Sequence, residues 1–462
     1  MERRPRQGKR EPRWSEVVCG VPDVTTAPPA SRVSDRTVSA DDQARPFLRH
    51  NLVALGLDFG LFLVGLSFAG QTTILPAFAA HLGAPNVLIG AIPAIMTIGW
   101  YLPPLFVAGY TESLSRKLPF ILRYTVWERA PYLALAATAF ALAEGAPRLA
   151  LAVVLAMLLL IAGTGGVLMP AWMDVVGRAI PTRLRGRFFA VAGMAASVAG
   201  FGAGLVTAWL LSAVPAPRSF GICFLLAALL LALSYVALAC VREPAGPAGA
   251  PRSPLRHQLR RVPALVRGDR NLAWYLVARV VASVGTAATG FYTVYALGVL
   301  GAPAWQAGVF TTSIVVGKLA GDAVLGWVAD HAGHRAVLIA GMAATLTANV
   351  VALTAGSPDA LLVSFALVGV QFSAQNVSGL NVLLEFAPSV AERPTYLGLG
   401  LTAMAPVAFA APLLAGLAAD AWGFRTVFAI TGAFGLAALL LLIGRVRDPR
   451  HALAKSPARE YT

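Results

Sequence analysis

The sequence predicts an all-α polytopic membrane protein, with twelve transmembrane helices arranged as two pseudo-repeated bundles of six. Three observations carry that reading. The mean hydropathy over 462 residues is +0.69. Apolar runs long enough to span a bilayer as helices recur from His50 to Leu442, and the two halves of the chain repeat one another. Lipid offers no hydrogen bonds to bare backbone, so the runs must be helices or a closed barrel. They lack the period-two alternation of barrel strands, which leaves helices.

The spans are expected at 51–78, 87–109, 119–143, 147–172, 187–212, 219–241, 271–299, 304–328, 335–355, 359–384, 396–419 and 424–444. With the amino terminus in the cytoplasm, only Arg148, Arg218 and Arg425 of the 37 Lys and Arg fall in outer loops. The loops around Arg183, Arg256 and Arg447 are basic, so both termini are expected in the cytoplasm and the chain in the inner (plasma) membrane. The net charge of +15 then reflects basic flanks on an anionic leaflet and calls for no nucleic acid. Residues 1–48 read as a disordered basic tail, 49–241 as the first bundle, 271–445 as the second and 446–462 as a cytoplasmic tail. In the linker 242–270, Leu255, Leu259, Val262 and Val266 recur at helical spacing, as in a surface-lying amphipathic helix.

The repeat is visible by eye. "LGAPNVLIG" (82–90) opens span two and "LGAPAWQAG" (300–308) opens span eight, an offset of 218. That offset sets Gly99 on Gly317, Glu112 on Asp330 and Lys117 on Arg335. "DVVGRAIPTRLRGRFF" (174–189) aligns with "NVLLEFAPSVAERPTY" (381–396), and "VREP" (241–244) with "VRDP" (446–449).

One stretch, "GWVADHAGHR" (326–335), concentrates charge and glycine between two apolar runs. Its pattern Gly326-x-x-x-Asp330-x-x-Gly333-x-Arg335 resembles the loop signature of the major facilitator superfamily, and the resemblance extends over residues 50–450. It implies the major facilitator fold, a cavity lined by spans one, four, seven and ten, and a cytoplasmic gate at this stretch. The first copy departs from the pattern, with Ala108, Glu112 and Ser115 at the Gly, Asp and second Gly positions. Glycines let the helix end turn sharply, while the charged groups need partners at a low-dielectric boundary. Arg178, Arg183 or Arg187 would serve Glu112, and Glu385 or Glu392 would serve Arg335; Arg178 aligns with Glu385. "PAW" (170–172) and "LRYTVWERAPYL" (122–133) further resemble a bacterial branch of permeases.

Ionisable groups inside spans are expensive in lipid and mark function. Asp58 lies about 12 Å into span one, a depth suited to a carboxylate that carries a proton reversibly or to a structurally paired one. Gly65, Ala69, Thr72 and Thr73 continue its face. In span seven, Arg279, Ser283, Thr286, Gly290 and Thr293 share a face, as a cavity wall whose cation binds an anion or neutralises Asp58, or as helix-packing groups. Gln371, Gln375 and Ser378, with Asn376 nearby, place amides in span ten for ligand contact. Lys318 and Asp322 are expected as a buried structural pair, and Glu128 with Arg129 as packing or latch support on a peripheral span.

No nucleotide-binding loop, metal-ligand cluster or catalytic elbow occurs, so no enzyme activity, cofactor or metal is expected. Cys223 and Cys240 stand too far apart on one predicted helix to bridge. The expectation is a monomeric secondary transporter that takes a small-molecule substrate and a proton. Export of an amphipathic or hydrophobic compound is the leading form. Uptake of a polar nutrient through Arg279 and the span-ten amides is the alternative, and a non-transporting membrane sensor or scaffold is the reading from another class.

Overall fold

A computed structural model describes residues 45–244, 265–387 and 393–448, apart from a few side chains such as that of Glu112. Most of the expected tails and of the 242–270 linker, together with Glu392, lie outside the described residues. Within them every regular element is helical. The first half contains α1 (Leu48–Phe68), α2 (Ile74–His81), α3 (Asn86–Tyr101), α4 (Pro103–Ser113), α5 (Leu118–Tyr124), α6 (Val126–Arg129), α7 (Pro131–Ala141), α8 (Pro147–Ala179), α9 (Thr182–Ala213) and α10 (Arg218–Ala239). The second contains α11 (Arg270–Gly285), α12 (Phe291–Gly298), α13 (Gln306–Ala332), α14 (His334–Thr354), α15 (Leu361–Ser378), α16 (Asn381–Phe386), α17 (Arg393–Trp422) and α18 (Phe424–Gly444).

Among the described residues, 9 helical stretches are long and apolar enough to cross a membrane. The three expected spans outside that set, at 87–109, 119–143 and 271–299, are helices in pieces. Pro103 restarts the chain as α4, and Pro131 as α7, because proline has no N–H to continue the preceding helix. Residues 286–290, "TAATG", separate α11 from α12, and the repeat-related residues 69–73, "AGQTT", separate α1 from α2. Such breaks are tolerated at membrane depth where other protein groups satisfy the freed backbone. Here the Thr293 hydroxyl donates to the Thr72 carbonyl at 2.8 Å, joining the two breaks.

The halves meet through α3 against α17 and α9 against α13. Glycine sets both contacts. A Cβ on Gly90 would collide with the Pro412 carbonyl, and one on Gly308, its partner in the repeat, with the backbone of Ala208. Gly99 and Gly317 play the same part inside each half, against Ala162 and Ala366. At one end of the molecule, Thr73 and Thr311 share a hydrogen bond of 2.7 Å. Asp420 at the end of α17 accepts from the Asn86 and Val87 backbone N–H groups at 3.0 and 3.1 Å, capping α3 across the two halves. At the opposite end, among the described residues, no hydrogen bond or ion pair joins the halves. The conformation is closed at the α2/α12 end.

Replacing Gly308 by valine is expected to hold this end apart. In detergent-solubilised protein carrying Thr73→Cys, position 73 should react with a maleimide at least tenfold faster in the Gly308→Val background, read by peptide mass spectrometry; equal rates would show that the glycine contact does not close it.

Candidate functional site

Two clusters of buried polar groups occupy the interior, one within the first half and one between the halves. In the first, Asp58 on α1 is 2% exposed and fully partnered. Its Oδ1 accepts from Arg129 Nη2 at 2.9 Å and from the Ser234 hydroxyl at 2.7 Å, and its Oδ2 from Trp172 Nε1 at 2.9 Å. Arg129 also bonds the Thr125 hydroxyl and lies 3.5 Å from Glu128 Oε2. The cation of α6 therefore serves two carboxylates. Beside them lies a cavity of ≈ 180 Å³ walled by Phe59, Phe62, Trp100, Met169 and Trp172.

Several expectations change here. Asp58 is paired by Arg129, not by Arg279, and the Glu128–Arg129 dipeptide, expected in a peripheral supporting role, lines the cavity. Local geometry brings it inward: α5, α6 and α7 are short segments, and α6 packs against α8 and α10. Gly65 is no cavity wall, since it packs against Leu231 and the Ala227 carbonyl of α10. The short motif "PAW" carried a signal that its spacing did not reveal, because its Trp172 donates to Asp58.

The second cluster sits where the halves meet, beneath the closed end, around a cavity of ≈ 290 Å³. The predicted stripe Arg279, Ser283, Thr286 and Gly290 lines it, together with Thr72 and the span-ten amides Gln371 and Gln375. Arg279 Nη1 donates to Gln375 Oε1 at 2.7 Å. Gln71, Thr97 and Tyr101 from the first half join the lining, none of which the sequence reading singled out. Asn376 is exposed on the other face of α15, and Ser378 bonds His334 at 3.0 Å, so neither reaches the cavity. Thr293 belongs to the closed end. Tyr292 and Tyr295 are core residues, with Tyr292 donating to Asn349 at 3.0 Å.

The gate residues lie at the open end. Lys318 and Asp322 do pair, at 2.6 Å, but with 27% and 36% exposure the pair is not buried. Arg178 bonds Asp174 at 2.7 Å and the Ser115 carbonyl at 2.7 Å, with Glu243 at 3.8 Å. Glu243 in turn accepts from the Lys117 and Leu118 N–H groups, each at 2.9 Å, and so caps α5. Its repeat partner Asp448 stands against Gly333, whose φ of 87° is the left-handed region that glycine tolerates. The "VREP" and "VRDP" repeat thus marks two carboxylates, Glu243 and Asp448, each placed against the start of a helix in its own half. Arg335 donates to the carbonyls of Leu442 and Ile443, and Glu385 lies 3.9 Å from His334, a different pattern from the expected Arg335–Glu385 bond. Asp330 is exposed and Gly326 faces open space.

Residues 280–461 match the Major Facilitator Superfamily profile. The fold agrees along nearly the whole chain. A nucleoside transporter NupG mutant superposes with a TM-score of 0.68 at 13% identity, covering 86% of this chain and 100% of its own. A D-xylose–proton symporter gives 0.65 at 15% identity, covering 86% and 98%. The family match takes in the second half of the chain, and the superposed structures show that the fold extends over both halves. A further structure of similar fold is a bacterial homolog of the human lysosomal transporter Spinster in an inward-facing, unoccupied conformation, with a TM-score of 0.65 at 13% identity over 90% of this chain and 100% of that one. No curated protein sequence matches significantly. With 9 helical stretches of membrane-spanning length and apolarity among its described residues, and with the fold of these transporters, the chain is a multi-pass membrane protein.

Removing Arg129 would leave Asp58 and Glu128 buried without a cation, a loss of about 3–5 kcal/mol for a buried pair. Arg129→Met is therefore expected to lower the thermal midpoint of the purified protein well below that of Asp58→Asn, which keeps an ionic partner for Arg129 in Glu128; equal midpoints would place the network outside the fold's stability.

Proposed function

We propose that this chain is a secondary transporter of the major facilitator superfamily, proton-coupled and working by alternating access, with two six-helix bundles rocking about the cavity at Arg279. The single observation that carries this is the polar cavity between the halves, closed at one end by the Thr72–Thr293 and Asp420–Asn86 contacts. The fractured helix pairs α3/α4, α5–α7 and α11/α12 each complete one crossing in this reading, which makes twelve. The open end is the cytoplasmic one, both termini lie there, and the chain acts as a monomer in the inner membrane. Asp58, with Glu128, carries the proton. The repeated stretch with Gly326, Asp330, Gly333 and Arg335, together with Glu112, Arg178 and Glu385, closes the cytoplasmic end in the opposite state.

The polar lining favours a small hydrogen-bonding solute over the amphipathic export expected from composition. Ten of the side chains around this cavity carry hydroxyl, amide or guanidinium groups: Gln71, Thr72, Thr97, Tyr101, Arg279, Ser283, Thr286, Thr289, Gln371 and Gln375. Export of an amphipathic compound keeps one support, the aromatic cavity that abuts Asp58.

In proteoliposomes holding the full chain, an imposed pH gradient is expected to drive solute-dependent proton movement for polar solutes and not for lipophilic cations. Asp58→Asn should abolish it while leaving the protein folded. Dissipation of the gradient by lipophilic cations alone would establish the export reading instead, and a wild-type rate retained by Asp58→Asn would remove the proton role from this residue.

A further inference from the structure

The two buried clusters carry opposite charge. Around Asp58 stand two carboxylates and one guanidinium, a formal excess of one negative charge. Around the second cavity stands Arg279, 9% exposed, and its lining contains no Asp or Glu. Among the described residues Arg279 forms no ion pair; its one hydrogen-bonded side-chain partner is the neutral Gln375. Glu385 does not line the cavity and has His334 at 3.9 Å. A guanidinium held in a low-dielectric interior without a counter-charge is costly, and the cost is removed when an anion enters.

The geometry of the guanidinium says which kind. Among the described residues Nη1 is engaged by Gln375, Nε is buried with no partner, and Nη2 beside it makes no hydrogen bond. The Nε and Nη2 donors form the planar fork that matches a carboxylate bidentately. One positive charge answers one negative charge, so a monoanion leaves the cavity neutral and a dianion does not.

We propose that the substrate is a small organic monocarboxylate, bound on the Nε/Nη2 edge of Arg279 and carried together with one proton in an electroneutral symport. This deepens, and rests on, the proton-coupled reading above. The charges themselves enforce the coupling. With both sites empty the interior carries one excess charge of each sign, summing to zero. With anion and proton both bound, each site is neutral. With only one of them bound, a net charge of one remains inside the spans, and closure around it is disfavoured. The empty and the doubly loaded carrier therefore reorient, and the singly loaded one does not.

The test has a binding arm and a transport arm on the full-length protein. For binding, straight-chain and aromatic monocarboxylates of two to eight carbons, among them lactate and benzoate, are compared with their uncharged amides by thermal unfolding in detergent. At least one acid is expected to raise the midpoint where its amide does not, and Arg279→Gln should abolish the effect while Asp58→Asn retains it. Arg279→Lys, which keeps the charge and loses the fork, should weaken the apparent affinity at least tenfold while preserving the preference for acid over amide. For transport, the same acid is followed in proteoliposomes with the potential clamped at zero or at 100 mV. A 1:1 symport accumulates it to the same ratio at both, whereas one uncompensated charge would change the ratio about 50-fold. Stabilisation by amides as well as acids, or by no acid, or survival of the effect in Arg279→Gln, would overturn the anion site. A potential-dependent ratio would overturn the 1:1 symport. If an uncharged solute moves with protons while no acid binds, this inference fails and the proton-coupled reading stands. If an acid binds through Arg279 but no solute moves under a pH gradient, the anion site stands and the coupling fails.

Discussion

The ion pair between Asp58 and Arg129 is the constraint around which the first half is arranged. A carboxylate in the middle of a bilayer-spanning helix must find its donors inside the protein, and three elements supply them: α6 brings Arg129, α10 Ser234 and α8 Trp172 to Asp58 on α1. The second half has no equivalent pair. Arg279 occupies its interior with an amide for a partner, and that asymmetry between two halves that repeat in sequence gives the molecule its polar centre.

Small residues do the complementary work. Where α3 meets α17 and α9 meets α13, backbones approach closely enough that any side chain at Gly90 or Gly308 would collide. Without a hydrophobic driving force between helices in lipid, such contacts supply the van der Waals packing that holds the halves together. They lie at the same end as the Asp420 cap and the Thr72–Thr293 bond, so one end of the molecule is tied by packing and hydrogen bonding while the other is left open. The ends of α10 and α18 add a further tie within each half, where Glu243 and Asp448 approach the start of the next repeat-related helix.

The polytopic helical class was legible because lipid permits few backbone solutions, and the offset of 218 between Gly90 and Gly308 was legible because both copies need glycine at the same contact. The stripe from Arg279 to Gly290 was legible for a similar reason: helical periodicity puts those residues on one face, and a helix with one polar face in a membrane turns it inward. Periodicity could not say which face of α15 turns inward, so Asn376 was grouped with Gln371 and Gln375 although it points away. Nor could it find the partner of Asp58, because Arg129 comes from a segment whose path depends on breaks at Thr125 and Ala130.

By itself the sequence determined that this chain lives in a bilayer, that its halves repeat, and that its interior holds a handful of charges, since hydropathy and residue spacing along one helix are local quantities. Which charges neutralise each other was decided only by the tertiary structure, as was the aromatic setting of one cluster and the hydroxyl and amide setting of the other. Those facts depend on distances between helices far apart in the chain, and no local pattern encodes them.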